Sequence, residues 1–162
     1  MVFEKKFKIF YLFIILLCIT SIFYAFFVEF FLGYKPCILC KYQRVPYILG
    51  LIIALFGFVK PSNKRVIIFI FLTFLISMTL SGYHVGIEQE FFSESLVCDP
   101  GVINENMSKE ELLKQLEMNT AISCKDVTFR FLGLSLATIN TIISIFLSCI
   151  MFKVIKNYGQ DK

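Results

Sequence analysis

Four long apolar segments constrain what this chain can fold into more than any other feature of its sequence. They cover about residues 9–32, 42–59, 66–87 and 128–152, and about 20 helical residues cross a hydrocarbon core of about 30 Å. Hydrophobic residues make up 57% of the chain and charged residues 17%, whereas soluble domains have about 45–50% and about 25%. We therefore predict an all-α membrane protein, a four-transmembrane-helix bundle that forms one domain over residues 1–162.

The first apolar segment also has to be compared with a cleaved signal peptide. It follows a basic N-terminal region, as signal peptides do, but it is longer than their apolar core of about 7–15 residues. The residues that follow, Gly33-Tyr34-Lys35-Pro36, do not form a small-residue cleavage site. We expect this segment to be an uncleaved membrane span.

The net charge of +4 is unevenly distributed among the segments that join the apolar runs. Residues 88–126 hold nine acidic residues and three lysines. The two ends of the chain and the link between the second and third spans hold nine basic residues: Lys5, Lys6, Lys8, Lys60, Lys64, Arg65, Lys153, Lys156 and Lys162. Since basic loops stay in the cytoplasm, both termini are expected inside and the loops 33–41 and 88–127 outside. This pattern favours contact with membrane lipid and no nucleic-acid partner.

The second outer (periplasmic) loop is predicted to carry a short amphipathic helix. Ser108 and Glu111 have the spacing of a capping box, and Leu112, Leu113 and Leu116 follow near one helical face. Two placements of this helix remain open, one on the membrane surface and one packed on the bundle.

Four of the six cysteines lie in the predicted outer loops, where an oxidising compartment permits disulfides. Cys37 and Cys40 form a C-x-x-C at the outer mouth of the second span, and Cys98 and Cys124 form a widely separated pair. A metal site is not expected, because the second pair lacks the close spacing of zinc ligands. A structural disulfide is a poor explanation of C-x-x-C, because a disulfide that closes so short a loop contributes little stabilisation. These four cysteines are the predicted catalytic residues.

The other two cysteines, Cys18 and Cys149, lie within the first and fourth spans. A thiol inside a span commonly serves as a small apolar packing residue. We expect both to be dispensable for redox chemistry.

The surroundings of the C-x-x-C favour a lowered thiol pKa. Pro36 suits the first position of a helix, which would place Cys37 and Cys40 in the first helical turn, where backbone N–H groups stabilise a thiolate. The basic residues that follow add positive charge. Because Pro46 disfavours helix at the residue before it, the motif is predicted to form its own short turn outside the second span.

Two further residues are candidates for binding an electron acceptor dissolved in the lipid. Arg44 lies one turn beyond Cys40 at the membrane edge, where its cation would polarise an acceptor, although an arginine there also reaches head groups. His84, the one histidine, lies near the outer end of the third span, and its alternative role is that of an interface residue. Cys40 is expected to lie deeper toward lipid and Cys37 nearer to water.

Three stretches of the chain resemble the DsbB family of disulfide bond formation proteins. They are residues 35–44 (K-P-C-I-L-C-K-Y-Q-R), 82–89 (G-Y-H-V-G-I-E-Q) and 131–136 (F-L-G-L-S-L). With the pair Cys98 and Cys124, the resemblance covers nearly the whole chain. The pattern P-C-x-L-C-x-x-x-R combined with four spans is far more specific than a C-x-x-C alone.

The resemblance implies a bacterial inner-membrane four-helix bundle that reoxidises DsbA, a periplasmic thioredoxin-fold dithiol oxidase. The electrons would pass to a membrane quinone, ubiquinone or menaquinone. By this resemblance, Cys98 would form the mixed disulfide with the partner, and Cys124 would connect to Cys37. Cys40 would face the quinone with the assistance of Arg44.

Two other functions remain open from the sequence. A vitamin K epoxide reductase-like protein also couples loop cysteines to a quinone, but members of that family place the loop pair before the C-x-x-C. A non-enzymatic membrane assembly protein with two structural disulfides would show no quinone-dependent thiol oxidation.

Labelling of introduced cysteines tests the predicted topology. In a cysteine-free variant, Asn106→Cys should react with a membrane-impermeant thiol reagent in intact cells, because that loop is predicted to lie outside. Ser62→Cys should react only after permeabilisation, which also serves as its accessibility control. Labelling of position 62 in intact cells would show that the orientation is inverted.

Overall fold

A computed structural model of the protein describes residues 2–61, 63–93, 98, 123–127 and 129–158. Within them the chain forms five helices and one pair of short strands. In chain order these elements are α1 (Val2–Phe30), α2 (Ile38–Tyr42), α3 (Arg44–Val59), α4 (Lys64–Glu88), β1 (Arg130–Phe131), β2 (Leu134–Ser135) and α5 (Leu136–Asn157).

Four stretches of the described chain are long and apolar enough to cross a membrane. They are Glu4–Phe30, Ile38–Val59, Lys64–Glu88 and Leu136–Asn157. Many large apolar side chains on them remain exposed, as is typical of surfaces that contact lipid. The predicted fold class, a mostly helical bundle with four spans, is confirmed, and the short β1–β2 hairpin is added to it.

The second span is divided between two helices. The short α2 ends at Tyr42, and α3 begins at Arg44, so that Pro46 falls in the first turn of α3, where a missing N–H costs no helical hydrogen bond. This division agrees with the separate turn predicted for the C-x-x-C. The predicted role of Pro36 was wrong, because Cys37 is the N-cap residue of α2, with extended backbone (φ −66°, ψ 171°), and Pro36 lies before the helix.

The fourth span begins at residue 136, later than the predicted 128. Ser135 caps α5 by accepting a hydrogen bond from the backbone N–H of Thr138 at 3.1 Å. The preceding residues turn back on themselves through Gly133, whose φ of +83° suits glycine, and β1 pairs with β2 in antiparallel fashion. Arg130 therefore lies in this hairpin rather than in a span. The helix predicted from Ser108 lies outside the described residues.

The long helices pack in the order α1, α3, α4, α5. Tyr11, Phe74 and Leu147, from α1, α4 and α5, are fully buried in one apolar core. The approach of α1 to α3 depends on Gly57, because a Cβ atom added there would lie within 2.6 Å of ring atoms of Tyr11. Since that ring is enclosed on every side, it has little room to move.

Alanine at position 57 tests this packing. Gly57→Ala should destabilise the protein by about 1–3 kcal/mol, the usual range for overpacking a filled core, and lower its thermal unfolding temperature in detergent. The matched control is Gly82→Ala in α4, where an added Cβ meets nothing within 4 Å, so helix propensity should leave its stability unchanged or higher. Equal effects of the two changes would contradict the close contact at Gly57.

Candidate redox site

The two cysteine pairs lie against each other at one end of the bundle. Cys98 and Cys124 are joined by a disulfide, whereas Cys37 and Cys40 are free thiols. Cys37, Cys98 and Cys124 are each at most 5% exposed, and they form a small apolar cluster with Leu39. The outer pair thus forms a disulfide that is seated on the C-x-x-C, whose two sulfurs are not bonded to each other.

One sulfur of the outer pair comes particularly close to the inner pair. The sulfur of Cys124, the sulfur of Cys37 and a ring nitrogen of His84 all lie within 4.8 Å of one another. This spacing would also suit a thiophilic metal, but the sulfur of Cys124 is already bonded to Cys98 and is not a thiolate ligand in this state. The arrangement suits exchange of disulfide bonds between the pairs.

Within the C-x-x-C, Cys37 holds the position of a hydrogen-bond acceptor. As the N-cap residue of α2, its sulfur accepts the backbone N–H of Cys40 at 3.2 Å. The two sulfurs lie 2.9 Å apart. Cys37 is not the more accessible of the two sulfurs: it is buried beneath the outer disulfide and α4, and Cys40 is half-buried. The expected depth of Cys40 toward lipid stays a prediction.

These contacts lower the pKa of Cys37. The hydrogen bond from Cys40 is the largest cause, burial opposes it, and the neighbouring His84 adds a further hydrogen bond, which together bring the pKa from 9.0 to about 5. A lowered pKa was predicted for this motif, but the cause differs. The predicted basic side chains are not among the causes, since the stabilising groups are Cys40 and His84.

His84 lies inside the site rather than at the membrane interface. It is 2% exposed, and its Nε2 atom lies 3.5 Å from the sulfur of Cys37. Its Nδ1 atom lies 2.9 Å from Nε2 of Gln43. Both ring nitrogens therefore face protein partners, and His84 contacts the thiol directly. Its predicted part in binding an electron acceptor stays a prediction.

Arg44 has partners on α1. Its Nη1 atom forms an ion pair with Glu29 at 2.5 Å, and its guanidinium lies 4.9 Å from the centre of the Phe26 ring. The side chain of Arg44 is 16% exposed, so it is held within the protein instead of extending to head groups.

A cavity of about 190 Å³ opens beside these residues, between α1 and the first turns of α5. A cavity of this volume has space for a small ring. Cys40, Arg44 and His84 line it together with apolar side chains such as Ile22 and Ile143. The cavity thus joins a thiol, a cation and an apolar wall.

Sequence reasoning missed several polar residues of the site. Gln43 and Asn140 form a hydrogen bond beside His84, Glu29 holds Arg44, and the buried carboxylate of Glu88 accepts a hydrogen bond from Ser135 at 2.5 Å. A signal for three of them existed, because polar side chains inside membrane spans are costly and commonly functional. Glu29 and Asn140 interrupt otherwise apolar segments, and Gln43 lies at the polar start of the second span.

Comparison with known proteins agrees with this geometry. A family model described as "Disulfide bond formation protein DsbB" matches residues 7–154. Disulfide bond formation protein B of Xylella fastidiosa is 30% identical over 128 residues, covering 75% of this chain and 73% of the relative. The protein of that name from Xanthomonas axonopodis pv. citri is 27% identical over 141 residues, covering 83% and 81%.

A further relative, an uncharacterized protein of Rickettsia prowazekii, is 29% identical over 155 residues, which cover 92% of this chain and 90% of that protein. The similarity thus extends from the first span to the last. Since the family match covers most of the sequence and all four spans, this chain belongs to the DsbB family of disulfide bond formation proteins and is a multi-pass membrane thiol oxidoreductase.

Proposed function

We propose that this protein reoxidises a DsbA-like periplasmic thioredoxin-fold protein and passes the electrons to a membrane quinone. The observation that carries this proposal is the seating of the Cys98–Cys124 disulfide on the C-x-x-C. Two cysteine pairs in contact can exchange a disulfide, whereas two structural disulfides need no such contact. Membership of the DsbB family supports a location in the bacterial inner membrane. The charge distribution supports an orientation with both termini in the cytoplasm and the cysteines on the periplasmic side.

Electron transfer begins at the outer pair. A thiolate of the partner attacks Cys98, and the electron pair of the broken disulfide leaves on Cys124. Cys98 is 2% exposed in this structure, so its sulfur must become more accessible before the partner's thiolate can reach it. Cys124 is the sulfur that lies near Cys37, which is why we assign Cys98 to the partner.

The second exchange joins the pairs. With Cys37 and Cys40 oxidised, the Cys124 thiolate attacks Cys37, and Cys40 leaves as a thiolate. Proximity favours attack at Cys37, since these two sulfurs are already within 4.8 Å. Cys37 was expected to lie nearer to water than Cys40. Accessibility to water does not explain the attack at Cys37, because Cys37 is the more buried residue of the two.

The cavity supports the proposed use of a quinone as electron acceptor. A quinone head group is a flat apolar ring with carbonyl oxygens, and the cavity offers an apolar wall, the Cys40 thiol and the Arg44 guanidinium. That guanidinium carries five N–H donors, of which the ion pair to Glu29 engages one terminal nitrogen. When bound, the quinone supplies the oxidising power for the two-electron reaction, and Arg44 would hold and polarise its carbonyl. His84 lines the same cavity but contacts Cys37.

Turnover by purified protein tests this function. In detergent or lipid with added quinone, the wild type should oxidise a reduced DsbA-like protein, and Cys37, Cys40, Cys98 and Cys124 should each be required. Cys18→Ala and Cys149→Ala are the matched controls and should retain activity at normal protein levels. Oxidation that proceeds without quinone, or without any one of the four cysteines, would contradict the proposal, and inactive controls would contradict the packing role of Cys18 and Cys149.

Substitution of Arg44 tests the acceptor site. Arg44→Ala should raise the KM for quinone about tenfold or more, the effect of losing roughly 1.5–3 kcal/mol from a charged hydrogen bond, with little change in the KM for the dithiol partner. Arg44→Lys keeps the charge but loses the planar guanidinium, so its KM for quinone should lie between those of the wild type and Arg44→Ala. Quinone kinetics that do not change in Arg44→Ala would leave the arginine only a structural partner of Glu29.

A further inference from the structure

We propose that Gln43 and Asn140 are positioning residues that keep the proton of His84 on Nε2, directed at the sulfur of Cys37. This inference rests on the proposed function for its catalytic meaning, whereas its structural content concerns the described side chains alone. Gln43 follows α2 and Asn140 lies on α5, so the proposal assigns a role to the fourth span in the chemistry of the C-x-x-C.

A continuous series of hydrogen bonds links four side chains: Tyr47, Asn140, Gln43 and His84. Tyr47 O–H donates to Oδ1 of Asn140 at 2.5 Å, and Nδ2 of Asn140 donates to Oε1 of Gln43 at 2.9 Å. Nε2 of Gln43 lies 2.9 Å from Nδ1 of His84. Each amide thus uses its oxygen on one side and its nitrogen on the other, so the orientation of one fixes that of the next.

The contacts of Gln43 and of Nε2 of His84 determine which atom donates in the hydrogen bond between these two side chains. Nε2 of His84 lies 3.5 Å from the sulfur of Cys37 and 3.8 Å from Oε1 of Glu88. The sulfur already accepts the N–H of Cys40, and the carboxylate of Glu88 accepts a hydrogen bond from Ser135. Because the amide oxygen of Gln43 already accepts the hydrogen bond from Asn140, the amide nitrogen faces Nδ1 and donates to it. Nδ1 is then the acceptor, and the ring hydrogen lies on Nε2, beside the sulfur of Cys37 and the carboxylate of Glu88.

Because Gln43 and His84 are buried, the loss of a hydrogen bond between them would be costly. Gln43 is 7% exposed and His84 is 2% exposed, so an unpaired polar atom here would incur the full cost of desolvation. Loss of Gln43 or Asn140 would therefore allow the proton to move to Nδ1, leaving a lone pair of Nε2 facing the sulfur of Cys37.

The chemical step that needs this N–H is the one that reforms the outer disulfide. The partner's second thiolate first attacks the partner sulfur bonded to Cys98, which forms the partner's own disulfide and releases Cys98 as a thiolate. That thiolate attacks Cys124 in the Cys37–Cys124 disulfide, the Cys98–Cys124 bond forms, and the electron pair of the broken bond leaves on Cys37. The described structure has the product arrangement, with Cys98 bonded to Cys124 and Cys37 free. A hydrogen bond from Nε2–H stabilises the charge that develops on the leaving sulfur.

The position of the proton is directly observable, because the chain contains one histidine. Protein labelled with ¹⁵N-histidine and purified without a histidine tag should show a protonated Nε2 and an unprotonated Nδ1 in nitrogen NMR spectra at neutral pH. Gln43→Met and Asn140→Leu, which keep side-chain size but remove the hydrogen bonds, should move part of the proton population to Nδ1. Gln89→Met, the same change at an exposed position, is the control and should have no effect.

Alkylation of Cys37 in the reduced protein, measured by mass spectrometry across a pH series, gives an independent readout. In the wild type the thiolate should persist in acid, since the pKa of Cys37 lies far below its ordinary value. Losing a hydrogen-bond donor to a thiolate raises its pKa, so Gln43→Met should move the midpoint of alkylation upward by about one pH unit. Turnover should fall about tenfold, with the KM for quinone unchanged.

Gln43→Glu provides a rescue variant if the others fold poorly. Its carboxylate accepts a hydrogen bond from Nδ1–H, so both ring nitrogens become protonated and Nε2–H still faces Cys37. Activity should be retained and should decline as the pH rises through the imidazolium pKa. The titratable groups that face His84 are Cys37, Glu88 and, when reduced, Cys124.

Two results would overturn the inference: a proton on Nδ1 in the wild type, or an unchanged Cys37 midpoint in Gln43→Met and Asn140→Leu. Neither readout needs turnover. Wild-type protein that shows the expected proton position but no quinone-dependent oxidation would overturn the proposed function and leave the hydrogen-bond assignment standing.

Discussion

The contact between the outer disulfide and Cys37 is the interaction on which the rest of the site depends. It buries Cys98, Cys124 and Cys37 in one apolar cluster and brings the sulfur of Cys124 within reach of the inner pair. Disulfide exchange requires a thiolate to approach a sulfur directly, so a loop that packs elsewhere would separate the two pairs. The helix bundle holds the C-x-x-C at the position where the Cys98–Cys124 disulfide can pack on it.

The membrane sets the second constraint. Polar groups within a span must find partners inside the protein, because lipid offers none. Here they pair across helices: Arg44 of α3 with Glu29 of α1, and Asn140 of α5 with Gln43. These pairs surround the cavity beside Cys40. The groups that stabilise charge in the proposed reaction are therefore also among the contacts that fix the helices around the site.

The sequence predicted the spans, the separate turn of the C-x-x-C and the pairing of outer cysteines, because apolar length and cysteine placement are local signals. It did not predict the start of α5, since the apolar residues before Ser135 form a hairpin that hydropathy cannot distinguish from a span. It also misjudged the relative burial of Cys37. That burial depends on Cys98 and Cys124, which lie far along the chain and pack on Cys37, and local patterns carry no information about such contacts.

Mapping the disulfide that joins the two pairs tests the central claim most directly. In a Cys40→Ser variant that also carries Cys98→Ser, the two remaining outer and inner sulfurs are Cys124 and Cys37, and mild oxidation should join them nearly completely. The matched variant, Cys37→Ser with Cys98→Ser, leaves Cys124 and Cys40 and should form far less of the corresponding bond. Equal yields in the two variants, or a disulfide only to Cys40, would contradict the assignment of Cys37 as the sulfur that links the pairs.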